Sequence, residues 1–501
     1  MEIESIKPFV AALVPFIGAV LIIATRKNKN LREGCSLLAG VLMFFVVLSM
    51  IPPVLEGKTL HYILFDFWPT VPIGFRVDGL GLLLALVSSF TWVLTTLYSI
   101  GYMRGLNEHS QTRFYFFFAV TLSATMGAAF SNNWFTLFLF YELITFFTYP
   151  LVVHHETREA WAGGNKYLLY LMASSKLFLG IAILLTYYYA GTIDFTATGI
   201  LPDDVASSTL TMVFFLYLFG VAKAAVMPFS AWLPASMVAP TPVSALLHAV
   251  AVVNTGAFCV LRVVLNTFGV DLMKSLDVGS IATAVASFTI IMASLYALSR
   301  DNLKERIAYS TVSQLSYMVL GGVLLSASGI TGGILHMANH ALAKITLFFC
   351  AGAIYVATKK SCVSQLNGIG RQMPWTMAAF AIATLGMIGV PPSAGFLSKW
   401  YLSLGAMEAD QLPVVFVLLA SGLLNAVYFI PIVHRAFFKF PDRALSFSFA
   451  GDKDGGGLDG YELPVKEPMF CVIPLCITAL ISIVMGIFPN LFLELIKQVS
   501  G

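Results

Sequence analysis

Lys223 stands inside an apolar stretch, residues 219–260, that also holds Pro228, Pro234, Pro240, Pro242 and, further on, His248. A full charge in hydrocarbon costs roughly 2.5–3.5 kcal/mol on insertion scales, so such a residue is usually retained for function. A membrane helix broken by proline beside a buried ionisable group is how transporters build ion paths. Glu142, in NNWFTLFLFYELITFFTYPLV, offers a carboxylate in similar surroundings. The expectation is a Glu142–Lys223 ion pair whose making and breaking sets the proton affinity of the lysine. Lys399, in GVPPSAGFLSKWYL, follows the double proline Pro391-Pro392 and mirrors Lys223. Between them, His336, His340 and Lys344 of ILHMANHALAKITLFF are spaced four apart. On an α-helix they share one face, and a row of titratable groups suits proton hopping. Lysine is a poor metal ligand and no carboxylate or cysteine is spaced nearby, so no metal site is expected.

Four other charged or titratable positions admit plainer readings. His248 directly follows PTPVSALL, where it could serve the path or simply fill the core. Lys176, in YLMASSKLFLG, could face the same interior or pair locally. Arg262, near the end of helix 8, could snorkel or serve inside the bundle. Lys304, at the entrance of helix 10 beside Asp301, Glu305 and Arg306, reads either as a residue of proton entry or as part of a solvated helix-end cluster.

The elements that must position these groups are membrane helices. Hydrophobic residues make up 58% of the 501 residues and charged ones 11%, against about 25% charged in a soluble domain. The net charge of +3 is small and scattered, which excludes nucleic acid as a partner. The six cysteines form no CxxC pair and no nucleotide loop is present, so no cofactor is expected. Apolar runs long enough to span about 30 Å fall near 7–25, 34–54, 78–102, 114–131, 133–153, 166–190, 207–239, 241–268, 277–298, 305–326, 329–357, 373–406, 412–438 and 468–494. The fold class is therefore an all-α polytopic membrane protein with about fourteen transmembrane helices. The first run lacks a basic leader and reads as a retained helix. Two runs are long and proline-interrupted, and they sit at matching places in helices 4–8 and 9–13. That spacing predicts two inverted five-helix repeats, each with one broken helix. The chain divides into residues 1–103 (helices 1–3), a translocating core at 104–440, and a polar loop with helix 14 at 441–501. Every second loop is basic. One set carries nineteen Lys and Arg and the other five, with five more (Lys176, Lys223, Arg262, Lys344, Lys399) inside helices. The basic set belongs in the cytoplasm, leaving both termini outside.

GVAKAAVMPFSAWLPASMVAPTPVSALLHA resembles the signature of the antiporter-like subunits of respiratory complex I, of multisubunit Mrp-type Na+/H+ antiporters and of membrane-bound hydrogenases. VDGLGLLL, NNWFTLFLFYEL, the HxxxHxxxK ladder and GVPPSAGFLSKW match in order, over roughly residues 75–440. The resemblance implies fourteen core helices in two inverted repeats. It implies that Glu142 is the helix-5 glutamate, Lys223 the helix-7 lysine, His340 and Lys344 part of the central axis, and Lys399 the exit residue. Many relatives carry a helix-8 lysine where this chain has Asn254, so His248 must substitute or the path differs. The chain ends soon after helix 14, without a long C-terminal amphipathic helix, which points to a D-type Mrp antiporter member. The expected function is proton translocation, with or without sodium exchange, in a bacterial or archaeal plasma membrane alongside other membrane subunits. The alternative is a proton-pumping subunit of a complex I-like oxidoreductase or membrane-bound hydrogenase. The chain has no redox site of its own in either case.

Overall fold

The structure, a computed structural model, describes residues 2–68, 71–440 and 466–500. Each apolar run lands on helix: α1 (Lys7–Ala24), α2 (Lys29–Leu55), α3 (Gly79–Gly105), α4 (Gln111–Ala129), α5 (Trp134–Val152), α6 (Arg158–Ala190) and α7a (Ser207–Gly220) come first. There follow α7b (Trp232–Ala235), α8 (Thr241–Phe268), α9 (Val278–Ser299), α10 (Leu303–Val323), α11 (Ala327–Thr358), α12a (Pro374–Ile388), α12b (Ala394–Glu408) and α13 (Leu412–Phe438). The last run divides into α14 (Met469–Ile487) and α15 (Asn490–Ser500), rather than forming one helix. Among the described residues, ten helices are long and apolar enough to cross a membrane. Those that fall short do so for two reasons. Serine, threonine and glutamine dilute α4 and α10, and α7 and α12 are each cut in two. The polar loop expected beyond residue 440 lies, as far as residue 465, outside the described residues.

Polar residues set the helix starts. Asp78, Asn133, Thr157, Asn302 and Ser326 each accept a hydrogen bond from a first-turn backbone N–H of α3, α5, α6, α10 and α11, which satisfies donors the helix leaves free. A small sheet joins the helices. β1 (Glu2–Glu4) runs parallel to β2 (Thr59–Trp68), which pairs antiparallel with β3 (Val71–Val77), Leu60 facing Val77 and Tyr62 facing Phe75. Apolar-run reasoning treats this segment as a mere connection, although TLHYILFDFW is rich in strand-forming side chains.

Burial is concentrated centrally. α8 is wholly buried and α3 and α11 are mostly so, whereas α1, α2, α6 and α13 keep most of their surface outward. At about 1.5 Å per residue, the 32 residues of α11 outreach the bilayer and carry the His336–Lys344 row through the centre.

Candidate functional site

The break in α7 is built so that its freed backbone groups find partners, as hydrocarbon requires. After Gly220 the chain makes a tight 3-10 turn, Ala222–Ala224, and Ala225 takes a left-handed conformation at φ +53°. The Trp232 indole donates to the Ala222 carbonyl at 2.8 Å, and the Met227 N–H donates to the Thr289 hydroxyl at 3.2 Å. Lys223 lies within that turn. Gly256 of α8 packs directly on it, and a Cβ there would come within 2.2 Å of the Ala224 nitrogen. Only glycine permits that approach.

The Lys223 ammonium is fully buried. It donates to the Tyr141 carbonyl at 2.6 Å and the Thr145 hydroxyl at 2.7 Å, and sits 3.2 Å from the centroid of the Tyr141 ring. The expected ion pair with Glu142 is not formed. Glu142 Oε2 instead meets Lys176 Nζ at 2.8 Å. The reason is helical phase: Tyr141 and Thr145 are four apart on one face of α5, and Glu142 points about 100° away. Its face meets α6 where that helix makes a π-helical turn, Ser175–Leu179, which carries Lys176. Such turns are frequent at functional sites. Of the two readings open for Lys176, local pairing is the one observed.

A second π-helical turn, Leu247–Ala251, holds His248 in α8. This imidazole is buried, with Nδ1 3.3 Å from the Ser236 hydroxyl and Nε2 without a protein partner. Asn254, three residues past the turn, donates to the Met337 carbonyl of α11 at 3.4 Å, and its Oδ1 is unpartnered. It thus brings α8 against the row on α11. Lys304 turns inward, donating to the Ala239 carbonyl at 2.6 Å, in place of the solvated cluster its neighbours suggested.

His336, His340 and Lys344 are all buried. His336 Nδ1 lies 2.9 Å from the Ser398 hydroxyl and Nε2 3.0 Å from Gln314 Oε1. The His336 and His340 rings stack with centroids 6.2 Å apart, and neither His340 nitrogen has a protein partner. Lys344 donates to the Ile307 carbonyl at 3.2 Å and to the Ser310 hydroxyl. Close packing of α12b on α11, where a Cβ at Gly405 would come within 2.2 Å of the Gly329 nitrogen, brings Ser398 to His336.

Lys399 reaches back across the second break. Its ammonium donates to the carbonyls of Met387 at 2.6 Å and Ile388 at 2.9 Å, closing the C-terminal end of α12a. Each broken helix therefore contributes one lysine, held by carbonyl or hydroxyl oxygens with no carboxylate among the described residues within 4.0 Å. Arg262 does not snorkel. It is buried and grips Asp78, with Nη2 2.8 Å from Oδ1, tying α8 to the start of α3. Sequence reasoning missed Tyr141, Thr145, Ser310, Gln314 and Ser398. For Thr145 the signal was its spacing of four from Tyr141 on an otherwise apolar face.

Comparison with known proteins gives a consistent answer. A family model described as NADH:quinone oxidoreductase/Mrp antiporter, TM, matches residues 131–424, and one described as NADH-Ubiquinone oxidoreductase (complex I), chain 5 N-terminus, matches residues 69–115. The NADH-quinone oxidoreductase subunit N of Desulforudis audaxviator is 28% identical over 96% of this chain and 95% of its own. A putative antiporter subunit mnhA2 of Staphylococcus haemolyticus is 28% identical over 96% of this chain, which spans 62% of that relative. The folds of chains in the archaeal membrane-bound sulfane sulfur reductase (TM-score 0.84, 24% identity, covering 99% of this chain and 97% of that one) and in the Mrp complex of Dietzia sp. (TM-score 0.84, 21% identity, with the same coverage) superpose on this one. The first model alone takes in more than half of the sequence, and the chain belongs to the NADH:quinone oxidoreductase/Mrp antiporter family of membrane subunits.

Proposed function

We propose that this chain is a proton-translocating subunit of a multisubunit membrane complex, of the D type found in Mrp antiporters. One observation carries the reading: two broken helices, each with a lysine in or just past the break, flank a buried row of His336, His340 and Lys344. A proton would load at Lys223 under the field of the Glu142–Lys176 pair, pass by way of His248 and water held at Asn254 to His340 and Lys344, and leave at Lys399. Buried polar atoms without protein partners on His248, Asn254 and His340 mark where water must complete the path. The two halves, helices 4–8 and 9–13, would be inverted repeats around this line. The basic loops would face the cytoplasm of a bacterial or archaeal cell, and sodium exchange would require a neighbouring subunit to supply carboxylates.

The D-type assignment rests on the motif resemblance, and the likeness to a chain of the Dietzia Mrp complex supports an Mrp-type member without naming its subunit. The second reading, a complex I-like pump, is favoured by the match across 95% of a subunit N. The test is Lys223→Ala in everted vesicles carrying the assembled complex. Proton uptake followed by a quenching dye should fall at least tenfold with assembly intact. Uptake at the wild-type rate would overturn the proposal. Uptake driven by an imposed sodium gradient identifies an exchanger, and uptake driven only by an electron donor identifies a redox-driven pump.

A further inference from the structure

Away from the central row, the α3–α4 loop and the segment after α5 bring three histidines around one carboxylate. Glu108 Oε2 lies 3.9 Å from His109 Nδ1, 3.9 Å from His154 Nε2 and 3.6 Å from His155 Nδ1. One donor atom from each of Glu108, His109 and His154 falls within 4.8 Å of the other two. The second observation concerns His154 itself. Its side chain is fully buried, and neither ring nitrogen has a protein hydrogen-bond partner in acceptable geometry. A buried imidazole with both nitrogens unsatisfied is uncommon and calls for a ligand. The ring is held by an edge contact with His109, centroids 4.8 Å apart, and another with Phe114 at 5.8 Å.

From this arrangement we infer a binding site for one divalent transition cation, of the Zn2+ class, with Glu108, His109, His154 and His155 as its ligands. Three imidazoles and a carboxylate form a zinc donor set, with bonds of about 2.0–2.2 Å. Tetrahedral bonds of that length put ligand atoms about 3.3 Å apart; the carboxylate–imidazole distances of 3.6–3.9 Å and the 4.8 Å spread of the Glu108, His109 and His154 donors would close by side-chain rotation. Access is open, since a cavity of about 480 Å3 is lined by Glu108, His109, His155, Thr157 and Glu159. Nearby positive charge is partly neutralised: Arg113 donates to the His154 carbonyl at 3.1 Å and pairs with Glu156. Lys304 lies within electrostatic reach of His155 and bonds the Ala239 carbonyl between α7b and α8. A bound cation would fasten the α3–α4 loop to the end of α5 near Lys304. The spacing of the ligands, two adjacent pairs forty-five residues apart, hides the site from motif reading.

The site stands independently of the transport reading, and its test reads binding. The full-length chain, purified in detergent and stripped with a chelator, is titrated with ZnCl2 by calorimetry and with Co2+ by visible absorption. One equivalent should bind with a dissociation constant in the micromolar range or tighter, with the intense visible bands of tetrahedral cobalt. His154 is buried and its replacement could harm folding, so the decisive variant is the His109→Asn/His155→Asn double substitution at outward positions. It should weaken binding at least tenfold and abolish the bands, while Asp204→Asn, at an exposed loop position, binds as the wild type does. No stoichiometric binding by the wild-type chain, or equal affinity in the double variant, would overturn the inference.

Discussion

The pairing of Glu142 with Lys176 predicts a specific energetic coupling. The charges are 2.8 Å apart, and at an effective dielectric constant of 20 unit charges at that distance attract by about 6 kcal/mol. That figure must be discounted. The Lys176 side chain is 54% exposed, the Glu142 side chain 12%, and both lose solvation on pairing. A coupling of about 1–3 kcal/mol lies between the values for exposed pairs and for fully buried ones. Glu142→Gln and Lys176→Met should therefore each destabilise the protein, because each strands a charge at membrane depth. The double variant should lose no more than either alone. Equilibrium unfolding in mixed micelles measures the cycle, and proton uptake in vesicles gives a second readout of the same four proteins. The Glu142→Gln/Lys223→Met cycle serves as the comparison and should couple more weakly. If the Glu142 and Lys176 losses add within about 0.5 kcal/mol, or if Lys223 couples more strongly, the assigned pairing is wrong.

Three further outcomes are expected. Thr145→Val removes one of the two oxygens that hold the Lys223 ammonium, a charge-assisted bond worth about 1.5–3 kcal/mol; vesicle uptake should fall about tenfold or more, and Thr145→Ser should restore it. Gly256→Ala forces a methyl against the turn that carries Lys223, an overpacking cost of about 1–3 kcal/mol, so the yield of folded protein after a heat step should drop and uptake with it. Arg262→Met leaves Asp78 without its buried partner, at a cost of about 3–5 kcal/mol; unfolding of the Asp78→Asn/Arg262→Met pair should show much of that loss recovered.

The helices, the two breaks and the residues of the central row were legible because each is written in local sequence. Apolar runs, prolines and a spacing of four need no knowledge of the rest of the chain. Pairings were less so. Whether Glu142 meets Lys223 or Lys176 depends on the rotation of α5 against two neighbours, and one residue along a helix turns a side chain by about 100°. Arg262 stayed open for a related reason: its partner, Asp78, lies 184 residues away at the cap of another helix. The β2–β3 hairpin escapes a reading by apolar spans because its strands lie in a short aromatic-rich connection between helices.

How the two break lysines are held bears on what they can do. A lysine locked to a buried carboxylate cannot release its proton without leaving an uncompensated anion, which is strongly unfavourable. Lys223 and Lys399 are held by neutral oxygens, and a neutral amine can still donate to a carbonyl or a hydroxyl. Loss of the proton then removes charge from a buried site without creating one of opposite sign. In the proposed path Glu142 would act on Lys223 at one remove, because its carboxylate is engaged by Lys176. Movement of Lys176 toward or away from Glu142 would change the carboxylate's field without breaking any contact of Lys223. In the proposed path, the controlling exchange would then lie between the half-exposed Lys176 and the Glu142 carboxylate, with the buried Lys223 responding to it.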